Sequence, residues 1–208
     1  MLSLRERKKR DKALRIKEAA QRVFREKGYR DATMREVADA AGVATGTLFL
    51  YAADKRDLLI MSVNEDLERL TAEGPATVQP GVPFVDQLLD LFRPRYEYWA
   101  IDRRLGLNVL QEVQETQTSD YAPGSAMAHY QRHRDAIMQR ITRLVEASQA
   151  AGALAPAESA PMLASLIMLI YSTAVRYWLR GPAATVDDGM AVLREYLRIA
   201  LSGAMPKR

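Results

Sequence analysis

Between Thr33 and Lys55 the chain reads T-M-R-E-V-A-D-A-A-G-V-A-T-G-T-L-F-L-Y-A-A-D-K, and this stretch limits what the rest can build more than any other. Thr33 followed three residues later by Glu36 is a capping box. Hydroxyl and carboxylate each satisfy an orphan backbone amide of the other, so a helix starts there. Val37, Ala38 and Ala41 recur at helical spacing, and Gly42 stands where a left-handed residue ends a helix. Val43 plugs inward. A second short helix opens near Thr45, with Leu48 buried and Thr45, Gly46, Thr47 and Leu50 turned outward. Asp54 with Asp57 repeats the cap-x-x-acid signature at the next helix. A tight turn of small residues followed by a short hydroxyl-bearing face is what a helix-turn-helix needs to enter the DNA major groove. A plain pair of packed helices would carry the same pattern, so the surroundings have to decide.

The charge is unevenly placed. Residues 1–60 hold fifteen Lys and Arg against nine Asp and Glu, and the remaining residues hold fifteen against seventeen. The net charge of +4 therefore sits on the segment with the helix-turn-helix pattern, as a phosphate-binding face requires. Arg5, Arg7, Lys8, Lys9, Arg10 and Lys12 read either as a solvated, frayed terminus or as a flexible basic arm that tracks a neighbouring minor groove.

A chain of 208 residues with 48% hydrophobic content can bury a real core. With no cysteine it has no disulfide framework and no thiolate metal site. The charged start lacks a signal-peptide core, and the apolar run from Ala160 to Val175 is shorter than the ~20 residues of a bilayer span. A soluble cytoplasmic protein without membrane contact is the expectation.

From Asp11 the spacing of Ile16, Ala19, Ala20, Val23 and Phe24 predicts a helix that ends at Lys27-Gly28 and covers the helix pair. A long helix follows from Lys55, with Leu58, Leu59, Val63, Leu67 and Leu70 inward, stopped by Glu73-Gly74-Pro75.

The order of motifs resembles the TetR family of bacterial one-component transcription regulators. The carriers are Gly28-Tyr29, Thr33, Ala38 with Ala41-Gly42-Val43, Gly46-Thr47-Leu48-Phe49-Leu50-Tyr51, and Lys55-Arg56-Asp57-Leu58-Leu59. The resemblance implies an all-α fold: an N-terminal three-helix unit with a helix-turn-helix over residues 1–54 and its basic arm, joined to a helical ligand-binding and dimerisation domain over 55–208. It implies that Thr33 holds a phosphate with hydroxyl and amide, that Arg35 reaches a base edge, and that Thr45, Gly46 and Thr47 face bases. Phe49 and Leu50 belong to the same surface, and Tyr51 and Lys55 contact phosphates. The chain departs from the family at Phe49, where a phosphate-bonding tyrosine is usual, and at Ala52, where a core phenylalanine is usual.

Beyond the loop at residues 77–83 the pattern stays helical. Phe84, Leu88, Leu91 and Phe92 share a face on a helix that Pro94 kinks or splits. Asp102 caps a short helix ending near Thr116. A polar loop runs to Gly124, and a long helix from about Ser125 to Ala151 turns Ile137, Ile141, Leu144 and Val145 inward. Met162 to Leu179 is apolar nearly all round, with Ala164, Ser165, Ser172 and Ala174 allowing close approach. The final helix carries two stripes, Met190-Leu193-Leu197-Leu201 and Val192-Tyr196-Ile199. Two apolar sides on each of the last two helices call for a partner, and the resemblance implies a two-fold homodimer through a four-helix bundle.

Tyr96, Tyr98, Trp99, Asn108, Gln111, Met127, Tyr130, Tyr171, Arg176 and Tyr177 are the candidates to line a chamber for a largely apolar small-molecule inducer. Each is equally at home in a plain core, and Arg176 suits a pocket or an interface ion pair. His129 and His133 stand at i, i+4, a spacing that can hold a divalent metal, but without further ligand types a polar-face pair is the expectation, with no metal and no cofactor. No phosphate loop, nucleophile elbow or triad is present. The expected function is a repressor released from a palindromic operator by an inducer, without enzymatic activity. A DNA-binding architectural or protein-interaction factor without an inducer is the alternative, and an enzyme using His133 or Glu112 as base is a third.

Overall fold

The computed structural model describes residues 3–73, 79, 81–115, 124–155, 158–182 and 185–202. The expected stop at Gly74-Pro75, residues 77, 78 and 80 of the loop at 77–83 and the loop before Gly124 lie outside these. Among the described residues the fold is all-helical: α1 (Leu4–Lys27), α2 (Met34–Ala41), α3 (Thr45–Leu48), α4 (Lys55–Glu73), α5 (Phe84–Ile101), α6 (Arg103–Glu115), α7 (Ala126–Ala150), α8 (Ala160–Arg180) and α9 (Val186–Leu201). The chain divides into two compact units, Met1–Leu67 with Arg104–Arg132, and Glu68–Arg103 with His133–Arg208. This division differs from a cut at residue 54, because the first half of α4, most of α6 and the start of α7 pack with the N-terminal helices.

In the first unit, α1 begins at Leu4 and not at Asp11. Ser3 and Glu6 form a capping box, the Ser3 amide donating to Glu6 Oε2 at 2.7 Å and the Glu6 amide to Ser3 Oγ at 3.2 Å. The expected basic arm is thus two turns of helix. Ile16, Ala19, Ala20, Val23 and Phe24 are buried as one stripe on α1, which packs on α2 with its buried Val37, Ala38 and Ala41, and α2 in turn packs on α3, whose Leu48 is buried. Gly42 ends α2 at φ +65°, a left-handed conformation in which a Cβ would be strained. Ala52 is buried in place of a larger ring.

At the head of α4 the Asp57 amide donates to Asp54 Oδ1 at 2.7 Å and the Ala53 amide to Asp57 Oδ2 at 3.1 Å. Asp57 Oδ1 also accepts from the Ala126 amide at 2.8 Å, and Asn64 Nδ2 donates to the Ala126 carbonyl at 2.8 Å, so two carboxylate oxygens serve two helix starts.

In the second unit α5 packs on α8 and α9, and α8 on α9. A single helix runs through Pro94. Phe92 stacks on Tyr171 with centroids 4.4 Å apart, and Tyr96 meets Tyr171 and Trp178 at 6.1 and 4.9 Å. The α9 stripe Met190, Leu193, Leu197 and Leu201 is buried in this core, as are Ala164 and Ala174. By length and composition α8, at 21 residues, could cross a bilayer, which the shorter apolar run does not suggest; one of its sides is nevertheless part of the core.

Candidate nucleic-acid interface and ligand chamber

The helix-turn-helix presents its surface through local rules. The Ala44 carbonyl accepts from the Thr47 and Leu48 amides at 2.8 and 3.1 Å, which winds α3 without a side-chain cap. Leu48, fully buried, pins the helix from behind. Gly46, Phe49 and Leu50 are exposed, and Thr45 and Thr47 half-buried, so the outward face combines hydroxyls with apolar groups. A Cβ at Gly46 would meet nothing within 4 Å, so the fold itself does not require glycine there. Arg35 is exposed on α2.

Three of the expected phosphate contacts have donors engaged inside the protein. The Thr33 amide and hydroxyl both donate to Glu36 Oε2 at 3.0 Å, completing the capping box. The Glu36 carboxyl is held at a pKa of about 2, first by Lys27, whose ammonium lies 2.5 Å from Oε1, then by Thr33. The Tyr51 hydroxyl donates to the Lys9 carbonyl at 3.5 Å. The Lys55 ammonium donates to the carbonyls of Arg30 and Ala32 at 2.7 and 3.1 Å and lies 5.0 Å from the centroid of the Tyr29 ring. Lys55 is therefore a strut between α4 and the α1–α2 turn in this conformation.

Beside it, Arg56 Nε donates to Glu112 Oε2 at 2.7 Å, which raises the arginine pKa. Burial, then Glu112, pushes the Tyr29 phenol up to about 12. No local pattern announces this Tyr29–Arg56–Glu112 cluster, since Glu112 lies 56 residues beyond Arg56.

Arg5, Lys9 and Lys12 continue at helical spacing the stripe that carries Ile16. Where α1 covers its neighbours the stripe is apolar. Where it overhangs, the stripe is cationic, and the bond from Tyr51 sets Lys9 beside the end of the recognition element.

The ligand candidates separate. Tyr96, Trp99 and Tyr171 come together in the second unit, Trp99 Nε1 donating to the Tyr171 hydroxyl at 3.3 Å. Tyr96 is fully buried with no hydrogen-bond partner for its hydroxyl, and burial raises its pKa. Arg95, unforeseen from sequence, is buried beside them; its Nη2 donates to Thr71 Oγ1 at 2.5 Å and to His133 Nε2 at 2.9 Å. Because a guanidinium only donates, His133 Nε2 accepts and is not disposed to bind metal or take up a substrate proton. Asn108, Gln111, Met127 and Tyr130 belong to the first unit, where Met127 is buried and Gln111 exposed. Arg176 is half-buried on α8. Tyr177, at 65% exposure, lies on the outward face of α8 and does not line an interior, a correction that follows from its helical phase relative to Trp178.

Residues 16–60 match the profile of bacterial regulatory proteins of the tetR family, spanning the capped α2, the Gly42 turn and α3 just described. The helix-turn-helix segment is of the TetR type. The chain is 26% identical over 179 residues to the HTH-type transcriptional repressor KstR of Mycobacterium tuberculosis, covering 86% of this chain and 76% of that protein. It is 27% identical over 108 residues to the fatty acid metabolism regulator protein of Bacillus subtilis, a match that takes in 52% of this chain and little more than half, 56%, of that protein. The structure of the transcriptional regulator FadR from Bacillus subtilis in complex with stearoyl-CoA superimposes with a TM-score of 0.69 at 19% identity, covering 91% of this chain and 98% of that one. The matched segment holds the whole of α2 and α3, whose outward face is the candidate DNA-binding surface.

Proposed function

We propose that the protein is a homodimeric cytoplasmic repressor that binds a palindromic operator through α2 and α3 of each protomer and leaves it when a long-chain acyl thioester or similar apolar molecule binds the helical region. The observation that carries the DNA reading is the α3 face, solvent-open on a fully buried Leu48 and flanked by the cationic end of α1. Arg35, Thr45, Gly46 and Thr47 then address base edges, and Thr33, Tyr51 and Lys55 reach phosphates by exchanging their internal acceptors. The Bacillus FadR complex supports the ligand class, as does the aromatic shell of Tyr96, Trp99 and Tyr171 with its orphan hydroxyl.

The dimer reading rests on a continuous apolar face of α8 and α9, where Leu169, Ile170, Thr173, Tyr196, Ile199 and Ala200 line a shallow groove and Tyr177 and Met162 extend it. The second unit's core does not use these side chains, and a two-fold copy would cover them. Release follows from α4: Arg56–Glu112, Asp57–Ala126 and Asn64–Ala126 tie it to α6 and α7, so a ligand that favours a different α6 position moves the head of α4 and, through Lys55, the α1–α2 turn.

Fluorescence anisotropy on a duplex selected from a random pool tests the reading. Expected are binding by a dimer and a 5- to 150-fold loss of affinity with stearoyl-CoA or a chain-length relative, corresponding to about 1–3 kcal/mol of coupling. Affinity untouched by every acyl thioester that binds the protein would end the inducer claim; sedimentation as a monomer at operator-binding concentrations would end the dimer claim.

A further inference from the structure

The recognition element carries an unusual set of side chains. From Val43 to Tyr51 the sequence is V-A-T-G-T-L-F-L-Y, without one amide, carboxylate, imidazole or cationic group. The side chains that most often bond base edges bidentately, Arg, Lys, Asn and Gln, are therefore absent from the element. Leu50 is instead 83% exposed, more than any other large hydrophobic among the described residues, and Phe49 beside it is 51% exposed. Neither covers the core, for Leu48 and Ala52 do that. Their place in the sequence differs from the outward face of α8 and α9: they lie on the DNA-facing element of the cationic unit.

An apolar side chain entering the major groove finds one apolar group on the base edges, the C5-methyl of thymine. We infer that Leu50, with Phe49 alongside, reads thymine methyl groups, so that each operator half-site carries thymine under the C-terminal end of α3 and is recognised there by apolar contact instead of hydrogen bonding. The inference rests on the DNA-binding reading and adds a base identity to it.

The test uses the full-length protein. A duplex is selected from a random pool, and each thymine in turn is replaced by deoxyuridine, which removes the methyl and leaves every hydrogen-bonding group in place. Expected is an affinity loss of about 3- to 5-fold per half-site at one or two thymines, the worth of one buried methyl, and about its square when both half-sites are changed. Leu50→Ala should lower affinity for the thymine duplex while becoming indifferent to uracil at those positions, with circular dichroism and thermal unfolding unchanged because the side chain is exposed. Uniform tolerance of deoxyuridine, or a Leu50→Ala protein that keeps the thymine preference, would overturn the inference while leaving DNA binding intact. Failure to select any duplex would remove both. A Leu50→Ala protein with unaltered affinity would assign this apolar patch to a protein partner and equally overturn it.

Discussion

Gly189→Ala sets two opposed effects against each other at one atom. In a helix interior, alanine for glycine gains about 0.5–1 kcal/mol from backbone entropy. At this position in α9, however, a Cβ would lie 2.7 Å from Tyr96 Cε1 and 2.8 Å from both Cδ1 and Cγ of Trp178. Neither ring can yield cheaply. Tyr96 is closed in by Tyr171, while the Trp178 indole N–H donates to the Thr185 carbonyl at 2.9 Å and its ring lies 4.5 Å beneath the Arg103 guanidinium. Thr185 also caps α9, so a shift of the indole would disturb the start of the helix that carries the new methyl. Overpacking costs about 1–3 kcal/mol, and with three ring carbons under 3 Å from the new methyl this site belongs at the upper end, about 2–3 kcal/mol, so after the entropic gain a net loss of about 1–2 kcal/mol remains. For a chain of this size the midpoint should fall by about 2–8 °C in differential scanning calorimetry. A midpoint at or above that of the unsubstituted protein would refute the claim that the α5–α8–α9 aromatic cluster is rigidly packed around Gly189.

Gly46→Ala should behave in the opposite way: with no described atom within 4 Å of the new methyl, thermal stability holds or rises by up to about 1 kcal/mol, while operator affinity falls if the proposed DNA face is correct. The triple variant Arg5→Ala, Lys9→Ala, Lys12→Ala should lower the salt slope of log Kd by about 2–3 per protomer without altering the selected base sequence; an unchanged slope would show that the overhang of α1 meets no phosphates. Glu36, with its folded pKa near 2 against an unfolded value of 4.5, contributes stability that is fully present above pH 4.5 and is lost as the pH falls toward 2. Glu36→Gln should therefore flatten the acid limb of the unfolding curve in that window and do little to its shape at neutral pH.

What could be read from the sequence was what neighbours in the chain decide. Thr33 with Glu36, Gly42, and Asp54 with Asp57 act over three or four residues, and the structure forms each of those caps where the pattern puts it. The early start of α1 was equally local, since Ser3-x-x-Glu6 is the same box, but the run of cations after it reads as a frayed end. Partners far along the chain left no such trace. Lys55 finds the Arg30 carbonyl 25 residues away, Tyr51 the Lys9 carbonyl 42 away, and Arg95 meets His133 38 away. A residue type suited to phosphate is equally suited to a carbonyl, and only packing chooses. Tyr177 and Trp178 make the same point for the chamber: adjacent aromatics on one helix point to opposite fates, and which one faces the core depends on where α5 and α9 lie.

These internal commitments reassign the labour of DNA binding. If Thr33, Tyr51 and Lys55 must exchange a carboxylate or carbonyl acceptor for a phosphate, each gains only the difference between two hydrogen bonds, so none can supply much affinity. The exposed cations on the overhang of α1 face no such exchange, and releasing their counterions is favourable whatever the base sequence. The face of α3 contributes little charge and few hydrogen-bonding groups, but its apolar tips and threonine hydroxyls are fixed by Leu48 in a single presentation. Affinity should then reside chiefly in α1 and sequence preference in α3, two functions separable by mutation. Because Lys55 and Arg56 anchor the head of α4 to the α1–α2 turn and to Glu112, the proposed movement of α4 would displace the charged overhang and the reading face together, and a ligand would need to touch neither to weaken both.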